Sequence, residues 1–340
     1  MSQQALRYGS RNLSEETLRG AVNIDLRYDA LKFVFERGDE VAQLHLLQFL
    51  GVLDTRKGKD LVLHLLGLQM PSGGFPSRFD ERTEGIRETC RYTLLLLKCG
   101  VPHDRLNVQA AVDFLLRHQR EGGGWSENPA LRIPEKVVEL STTQSITWLT
   151  GDIIELLRTV DLGESEACLR ALNWLREMQN EDGGWPMFKR DRFRADPDST
   201  AQILFMMRGI YGEDNEAWLR GVGFFERSLD GVAADAEKGH YTAADGKRRE
   251  NDIYHLTHLL LSSLVDSAGR IEAGYDMTDE RVRRIVKTIF DTQREDGGWR
   301  PFFTEESSPT YTVLTLKLLA WLGALSLDEL REQALRYVQP

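Results

Sequence analysis

The stretch QNEDGGW, residues 179–185, recurs three more times in related form along the 340-residue chain. The other copies are QMPSGGF at 69–75, QREGGGW at 119–125 and QREDGGW at 293–299. Each begins with glutamine, has glycines at the fourth and fifth following positions, and ends on an aromatic residue at the sixth. Such regular recurrence indicates a repeat architecture. The gap after Trp185 is about two periods long, so we expect a degenerate copy there, with SLDGVAADAEKGHY at 228–241 as the candidate.

Each copy separates two helical patterns. The run before it, such as SEACLRALNWLREMQ at 165–179, is amphipathic and predicts a half-exposed outer helix. The run after it, such as DSTAQILFMMRGIY at 198–211, is apolar on most sides and predicts a buried inner helix. Inner helices are predicted near 29–53, 86–100, 141–160, 198–211, 251–266 and 308–324. Outer helices are predicted near 58–69, 106–119, 164–179, 214–229, 278–293 and 326–338.

Six inner and six outer helices favour an all-α fold in which six helical hairpins form one (α/α)6 barrel, or α-toroid. An open solenoid would need polar capping repeats at its ends, whereas the first and last inner runs here are as apolar as the others. No stretch alternates like a strand, so no sheet is expected. We therefore predict a single barrel domain over residues 1–340, with a short polar segment at its N-terminus.

The composition narrows the class of protein. The net charge of −10 argues against a nucleic-acid partner. The three cysteines are odd in number and scattered, which predicts reduced thiols and a cytoplasmic location. No signal peptide and no apolar run of about 18 residues is present, so no membrane span is predicted. Peripheral contact with a membrane for substrate entry and the oligomeric state are left open, and no cofactor is expected.

The repeated Gln-x3-Gly-Gly-Trp pattern resembles the QW motif of the squalene-hopene cyclase and class II terpene cyclase superfamily. The resemblance extends to the stretch Asp196-Pro197-Asp198-Ser199-Thr200-Ala201, which is similar to the Asp-x-Asp-Asp-Thr-Ala motif of class II terpene cyclases. It implies that Asp198 protonates a terminal alkene or epoxide of a linear isoprenoid, which then cyclises in an apolar barrel lumen. Ser199 departs from the motif at the third acid, as a cysteine does in oxidosqualene cyclases.

The residues themselves allow a second interpretation of this stretch. Pro197 suits the first position of a helix and Asp196 suits its N-cap, so both acids could simply start the helix. Two observations favour a catalytic role for Asp198. It shares a helical stripe with Gln202 and Phe205, and no other inner helix opens with paired acids before Thr-Ala. A neighbouring carboxylate at Asp196 would raise the pKa of one member of the pair.

Further site residues follow from the lumen that this chemistry needs. A cation formed at the acid would be stabilised by aromatic faces. His255 resembles the histidine that bonds the acid in hopene cyclases. Glu88 and Asp152 are lesser candidates for the acid, and Asp152 would need a partner in its apolar run. The predicted substrate-binding residues are Trp148, Gln202, Phe205, Tyr254 and Tyr311, with Trp321 as a further lumen candidate, although each aromatic residue also suits plain core packing.

Three alternative functions remain open. Protein prenyltransferase β-subunits bind zinc through Asp-x-Cys and a later histidine, and Asp198, His255 and His258 follow that order. Thr200 stands where the cysteine ligand should be, so we expect no zinc. A non-catalytic barrel that binds a lipid, an isoprenoid or a peptide is the second alternative. A glycosidase with paired carboxylates is the third, and the Gln-x3-Gly-Gly-Trp repeat argues against it.

Overall fold

The computed structural model describes residues 26–134, 141–188, 194–195, 197–207, 216–238, 240–242, 248–250, 277–300 and 304–338. Helices dominate these residues, and the fold is the predicted α/α barrel. The helices are α1 Ala30–Arg37, α2 Glu40–Leu50, α3 Arg56–Gly67, α4 Ile86–Lys98, α5 Leu106–Arg117, α6 Thr147–Thr159, α7 Glu166–Met178, α8 Pro197–Met207, α9 Glu216–Lys238, α10 Glu280–Asp291, α11 Pro309–Trp321 and α12 Leu327–Val338.

The glutamine of each repeat ties one outer helix to the next. In the third copy, Gln179 Nε2 donates to the carbonyl oxygen of Gly183 at 2.8 Å and to that of Ala217, near the start of α9, at 2.7 Å. Gly183 has φ of 93°, where only glycine is unstrained, and a Cβ there would strike the carbonyl oxygen of Arg220. The glycine therefore serves both the turn and the close approach of the next outer helix.

The aromatic residue of each repeat joins the outer helix to the inner one. The indole N–H of Trp185 donates to the carbonyl oxygen of Leu175 in α7 at 2.8 Å. Its backbone N–H donates to Thr200 Oγ1 in α8 at 2.8 Å. Phe75, Trp125 and Trp299 make the same backbone bond to a threonine of α4, α6 and α11. The four threonines occupy equivalent positions in their inner helices. We call them the register threonines: Thr89, Thr150, Thr200 and Thr312.

The ring closes between the two ends of the described chain without a covalent link. Gln293 Nε2 donates to the carbonyl oxygen of Tyr28 at 3.0 Å, and its Oε1 accepts from the backbone N–H of Arg27 at 3.1 Å. Gln179 makes its equivalent bond to the start of an outer helix, so α1 takes an outer position. The predicted single inner helix over 29–53 is therefore wrong. It breaks at Gly38, and Asp39 caps the new helix α2 by accepting from the N–H of Ala42 at 2.7 Å.

Two other sequence expectations differ from the structure. The segment proposed as a degenerate copy, 228–241, is helical as far as Lys238, because α9 continues through residues rich in alanine and other strong helix formers. Two short antiparallel pairs also occur where no sheet was expected. β1 (Phe75–Ser77) pairs with β2 (Asp80–Gly85), and β3 (His240–Thr242) pairs with β4 (Arg248–Glu250). The predicted inner helix at 251–266 lies outside the described residues.

Candidate functional site

The predicted catalytic stretch begins helix α8. The helix starts at Pro197, as predicted, so Asp198 lies in the first turn, where the helix dipole favours a carboxylate. The backbones of Asp198 and Phe205 are described within α8, while their side chains are not. Asp196, Tyr254 and His255 lie outside the described residues. The catalytic roles of Asp196, Asp198 and His255, and the lumen roles of Tyr254 and Phe205, therefore stay predictions.

The threonine of the Asp-x-Asp-Asp-Thr-Ala-like stretch has a structural role. Thr200 is fully buried, and its hydroxyl accepts the backbone N–H of Trp185 as its counterparts do in three other repeats. The position two residues before this threonine holds a different type of residue in each repeat. It carries Arg87 in α4, Trp148 in α6, Asp198 in α8 and Thr310 in α11. A residue that the scaffold needs should recur in every copy. Because this position varies, Asp198 is not part of the repeated scaffold contacts.

The position two residues after the threonine faces the interior of the ring. In α4 and α6 it holds Arg91 and Asp152, whose Nε and Oδ2 atoms lie 3.3 Å apart across the two inner helices. The Arg91 guanidinium also lies over the ring of Trp148, 5.4 Å from its centroid. Gln202, which is buried, takes the same register in α8. The substrate-binding roles of Trp148 and Gln202 stay predictions.

Asp152 has the partner that its apolar surroundings require. Burial raises the pKa of the Asp152 carboxyl, the charge of Arg91 opposes that shift, and Glu155 adds to it. The ion pair with the Arg91 guanidinium accounts for the presence of a carboxylate within an apolar run, so no role in proton transfer is needed to explain it. Asp152 therefore fits a structural partner of Arg91 better than a source of the initiating proton.

Glu88 lies near another carboxyl, that of Glu127, at the start of α4. Glu88 is buried, and its Oε1 accepts from Arg87 Nη2 at 2.7 Å. Glu127, which sequence analysis did not single out, accepts the backbone N–H groups of Ile86 and Arg87 and so caps α4. Burial raises the pKa of Glu127, and the charge of Glu88 raises it further. Glu88 is thus paired with Arg87, and Glu127 is engaged in capping α4.

The remaining predicted aromatic residues lie on α11. Tyr311 directly precedes Thr312 and is 7 % exposed, so its ring packs within the protein. Trp321 ends the helix and is half-buried. The Lys317 ammonium lies 5.5 Å from the Trp321 ring centroid and 5.9 Å from that of Phe49 in α2. Trp321 is therefore engaged with a cation of the protein itself, which is a contact that sequence analysis did not anticipate.

The ring interior is more charged than the apolar lumen that the sequence led us to expect. Besides Arg91 and Asp152, the inner helices carry a basic group that we call the interior basic cluster: His45 of α2, Lys98 of α4 and Lys317 of α11. Lys98 Nζ lies 3.9 Å from Glu155 Oε1 of α6. Charged residues inside otherwise apolar inner runs, as in EVAQLHLLQFL and PTYTVLTLKLLAW, are the sequence signal that was missed.

The interior basic cluster perturbs the ionisation of its own members. Burial, and then the charges of Lys317, Lys98 and Arg91, lower the pKa of His45 to about 3. Burial and the charge of Lys98 lower the pKa of Lys317 to about 8, and Glu155 opposes that shift. Both side chains are half-buried. His45 is therefore neutral at pH 7.

Two features of the described residues bear on other sequence expectations. No helix among them is both long enough and apolar enough to cross a bilayer. They also contain no group of three His, Cys, Asp or Glu side chains arranged to hold a metal ion. The zinc ligands considered above include His255 and His258, which lie outside this part of the chain. The expectation of no zinc therefore stays a prediction.

Comparison with known proteins agrees with the fold and the repeat. Residues 41–187 match the model of the squalene-hopene cyclase C-terminal domain, and residues 234–339 match that of the prenyltransferase alpha-alpha toroid domain. A squalene-hopene cyclase of Zymomonas mobilis is 38 % identical over 91 residues, which are 25 % of this chain and 13 % of that protein. A drimenyl diphosphate synthase of Streptomyces showdoensis is 30 % identical over 151 residues, 43 % of this chain and 26 % of that protein. This chain thus spans a minor part of these curated relatives.

A solved structure extends the likeness over most of the chain. A variant of a type II terpene cyclase from Scytonema, solved in complex with its substrate geranylgeranyl dihydroxybenzoate, has a TM-score of 0.58 at 14 % identity. The match covers 86 % of this chain and 95 % of that one. At this identity the likeness concerns the fold alone. The two family models, together with the repeated turns and the closed ring of hairpins, support placing the chain in a class II terpene cyclase-like superfamily.

Proposed function

We propose that this protein is a class II terpene cyclase-like enzyme that starts cyclisation of a linear isoprenoid by protonation. Asp198 carries the proposal. It stands two residues before Thr200, which the scaffold fixes, at an inner-helix position whose residue changes from repeat to repeat. Relatives of this chain include a drimenyl diphosphate synthase, and a structural neighbour binds geranylgeranyl dihydroxybenzoate. Both names support an isoprenoid substrate here.

The proposed chemistry needs a protonated carboxyl at Asp198. Burial and the neighbouring acid Asp196 raise a carboxyl pKa, while the N-terminus of α8 lowers it. His255 would hold the acid by a hydrogen bond and so orient its proton. The proton adds to the terminal alkene or epoxide of the substrate, the chain closes onto the resulting cation, and deprotonation, water or a ring substituent quenches it.

The ring interior supplies the surroundings for the cation. Trp148 and Tyr311 are buried at the same end of the inner helices as Asp198, two residues and one residue before their register threonines. Together with Phe205 and Tyr254 they would offer aromatic faces, each worth about 0.5–2 kcal/mol to a nearby cation. Gln202 lies on the Asp198 stripe and would orient the substrate or the quenching water. Exclusion of bulk water by this packing would protect the cation from premature capture.

The test compares Asp198→Asn with Asp39→Asn. Both residues lie at the start of inner helices, and asparagine keeps the volume and the capping ability of aspartate. We expect Asp198→Asn to lower turnover of linear isoprenoids by more than the ~10²–10⁴-fold typical of assisted proton transfer, because the amide cannot protonate carbon. Asp39→Asn should leave turnover unchanged. Substrates would include geranylgeranyl diphosphate, squalene and prenylated aromatics, with products identified by mass spectrometry.

The same experiment distinguishes the alternatives. A non-catalytic isoprenoid-binding barrel would show no turnover in the unmodified protein, while Asp198→Asn would keep its ligand. A prenyltransferase β-subunit-like enzyme is the other alternative, supported by the match of residues 234–339 to the prenyltransferase toroid. That enzyme would contain about one zinc per chain by metal analysis. Asp198→Asn that turns over at the unmodified rate, with an unchanged thermal melt, would make Asp198 a helix-starting residue.

A further inference from the structure

We propose that the interior basic cluster, His45, Lys98 and Lys317, is an anion-binding site that receives the negatively charged head group of the substrate. The head group would be a carboxylate or a diphosphate. That the group belongs to an isoprenoid rests on the proposed function, whereas the presence of an anion site rests on the charges of the cluster alone.

The basic groups of the ring interior are unequally neutralised. Arg91 is matched by Asp152 at 3.3 Å and by the face of Trp148. Lys98 has Glu155 at the longer distance of 3.9 Å. Lys317 lies over the rings of Trp321 and Phe49, and the charge of Glu155 acts on it from a distance, but no described carboxylate lies within ion-pair distance of it. Two acids thus serve Arg91, Lys98 and Lys317, so one basic side chain is left without an acidic ion-pair partner among the described residues.

Burying an ammonium without a counter-charge raises the free energy of the folded protein. This effect lowers the pKa of the basic group. Burial and a neighbouring cation hold the pKa of Lys317 at about 8, well below that of a free lysine. His45 is neutral at pH 7, so it offers one N–H donor to an anion without adding charge. A bound anion would favour the charged form of Lys317 and accept charge-assisted hydrogen bonds from it. The cluster therefore has the chemistry of an unfilled anion site.

Lys317 and Asp198 lie at different levels along the axis of the ring, as the two ends of one elongated substrate would require. The register threonines place Asp198 two residues before, and Lys317 five residues after, the same level of the ring. Seven residues of helix rise by roughly 10 Å. Lys98 lies farther toward the C-terminal end of α4, and its side chain is 37 % exposed. A head group there would stay near solvent, while the hydrocarbon chain runs inward and presents its far end to Asp198.

The test separates head-group binding from turnover. Farnesyl diphosphate, farnesoic acid and farnesol share one chain and differ in the head group, and binding of each would be measured by calorimetry in buffer containing EDTA. We expect at least one of the two anions to bind about tenfold or more tightly than farnesol, a difference of about 1.4 kcal/mol. The anion that shows the preference identifies the head group as a diphosphate or a carboxylate.

Three variants assign that preference to the cluster. Lys317→Met should bind farnesol as before and lose the preference for the anion, while Lys317→Arg should keep it. Lys287→Met is the matched control on the outer helix α10, where the side chain is 79 % exposed, and should behave as the unmodified protein. Equal binding of all three ligands, no binding of any, or a preference that survives Lys317→Met would each overturn the anion site.

The inference and the proposed function fail separately. Asp198→Asn should keep the head-group preference, because it removes only the proton donor. A preference for the anion in a protein without turnover would leave the anion site standing and reject the cyclase. Turnover of isoprenoids together with equal binding of farnesol and both anions would reject the anion site and leave the cyclase standing.

Discussion

The Gly-aromatic turns and the ring interior of this barrel differ in how far they repeat. At the turns, glutamine, glycine, aromatic residue and threonine make the same hydrogen bonds in copy after copy. In the interior, equivalent positions of neighbouring helices carry different chemistry. Five residues after the register threonine stand Leu94, Glu155, Phe205 and Lys317.

This difference separates scaffold from site within a single sequence. A contact that every hairpin needs in order to pack recurs at every hairpin, whereas a ligand is asymmetric and needs each group once. Thr200 illustrates the point. It belongs to the motif that suggests catalysis, yet its hydroxyl accepts a hydrogen bond that the scaffold repeats in other copies. Repeated positions should therefore govern stability, while unrepeated positions should govern function, even at a cost in stability.

The largest expected effect on stability is at a repeated aromatic residue. Trp299 is fully buried and lies in the turn that closes the ring, and its indole N–H donates to the Ile289 carbonyl oxygen at 2.7 Å. We expect Trp299→Ala to lower the free energy of unfolding by about 3–5 kcal/mol, through loss of packing and the cavity left behind. Trp299→Phe should cost much less, because Phe75 fills the same place in the first copy. Urea unfolding of both variants would check this, and an equal loss for Phe and Ala would contradict it.

Acid should reveal the neutral histidine of the interior. The unfolded chain takes up a proton at His45 near the ordinary histidine pKa of 6.5, whereas the folded protein does so only at about 3, because of burial and the charges of Lys317, Lys98 and Arg91. Protons therefore favour the unfolded chain, and the contribution of His45 to stability falls as pH drops from about 6.5 toward 3. His45→Gln should remove a loss on the order of a few kcal/mol. Melts of both proteins across this range would test it, and parallel curves would refute it.

Two threonines at the same register should be equivalent in stability and different in function. Thr200→Val and Thr150→Val each leave the backbone N–H of a buried tryptophan without its acceptor, at a cost of about 1–3 kcal/mol. Similar unfolding free energies would confirm that both belong to the scaffold. Turnover should fall more for Thr200→Val, because Thr200 lies next to the proposed acid in α8. A large stability loss at Thr200 with none at Thr150 would break the repeat argument.

The smallest expected effect has the opposite sign. Lys317→Met should raise the free energy of unfolding at pH 7 by about 1–2 kcal/mol, because the folded protein disfavours the ammonium. Between about pH 8 and 10.5 the unfolded chain holds the proton that the folded protein has lost, so the unmodified protein gains stability as pH rises. The advantage of the variant should therefore shrink over that range. Denaturant melts at pH 7 and pH 10 would measure it, and a destabilised variant at pH 7 would argue for an undetected role of Lys317 in packing.

The sequence predicted most of the barrel because its helices obey a strong local rule. Apolar spacing gave the outer helices α3, α5, α7 and α10 to within a few residues. Prediction failed where a local pattern was outweighed by its neighbours. Residues 29–53 are apolar enough for one helix, but Asp39 caps a second one and the first half packs outside, where Gln293 binds its start. In the proposed degenerate copy at 228–241, helix propensity continued α9 as far as Lys238.

The candidate site was predicted less completely, and for a physical reason. Asp152 was expected to need a partner, yet nothing in the sequence names Arg91, which lies 61 residues away and meets it only because α4 and α6 are adjacent inner helices. Lys317 and His45 are each a single basic residue within an apolar run, and their proximity depends on how the ring closes. Side-chain neighbours from different hairpins are a property of packing, which local spacing does not encode.

By itself, the sequence determined the repeat, the turn chemistry and the helix that Asp198 begins, since these depend on hydrogen bonds and apolar spacing within or between consecutive elements. Tertiary structure alone decided which end residues seal the ring and that basic residues of α2, α4 and α11 share one interior. Those outcomes require helices distant in sequence to be brought together. The energy of burying their charges exists only once the ring is closed and water is excluded.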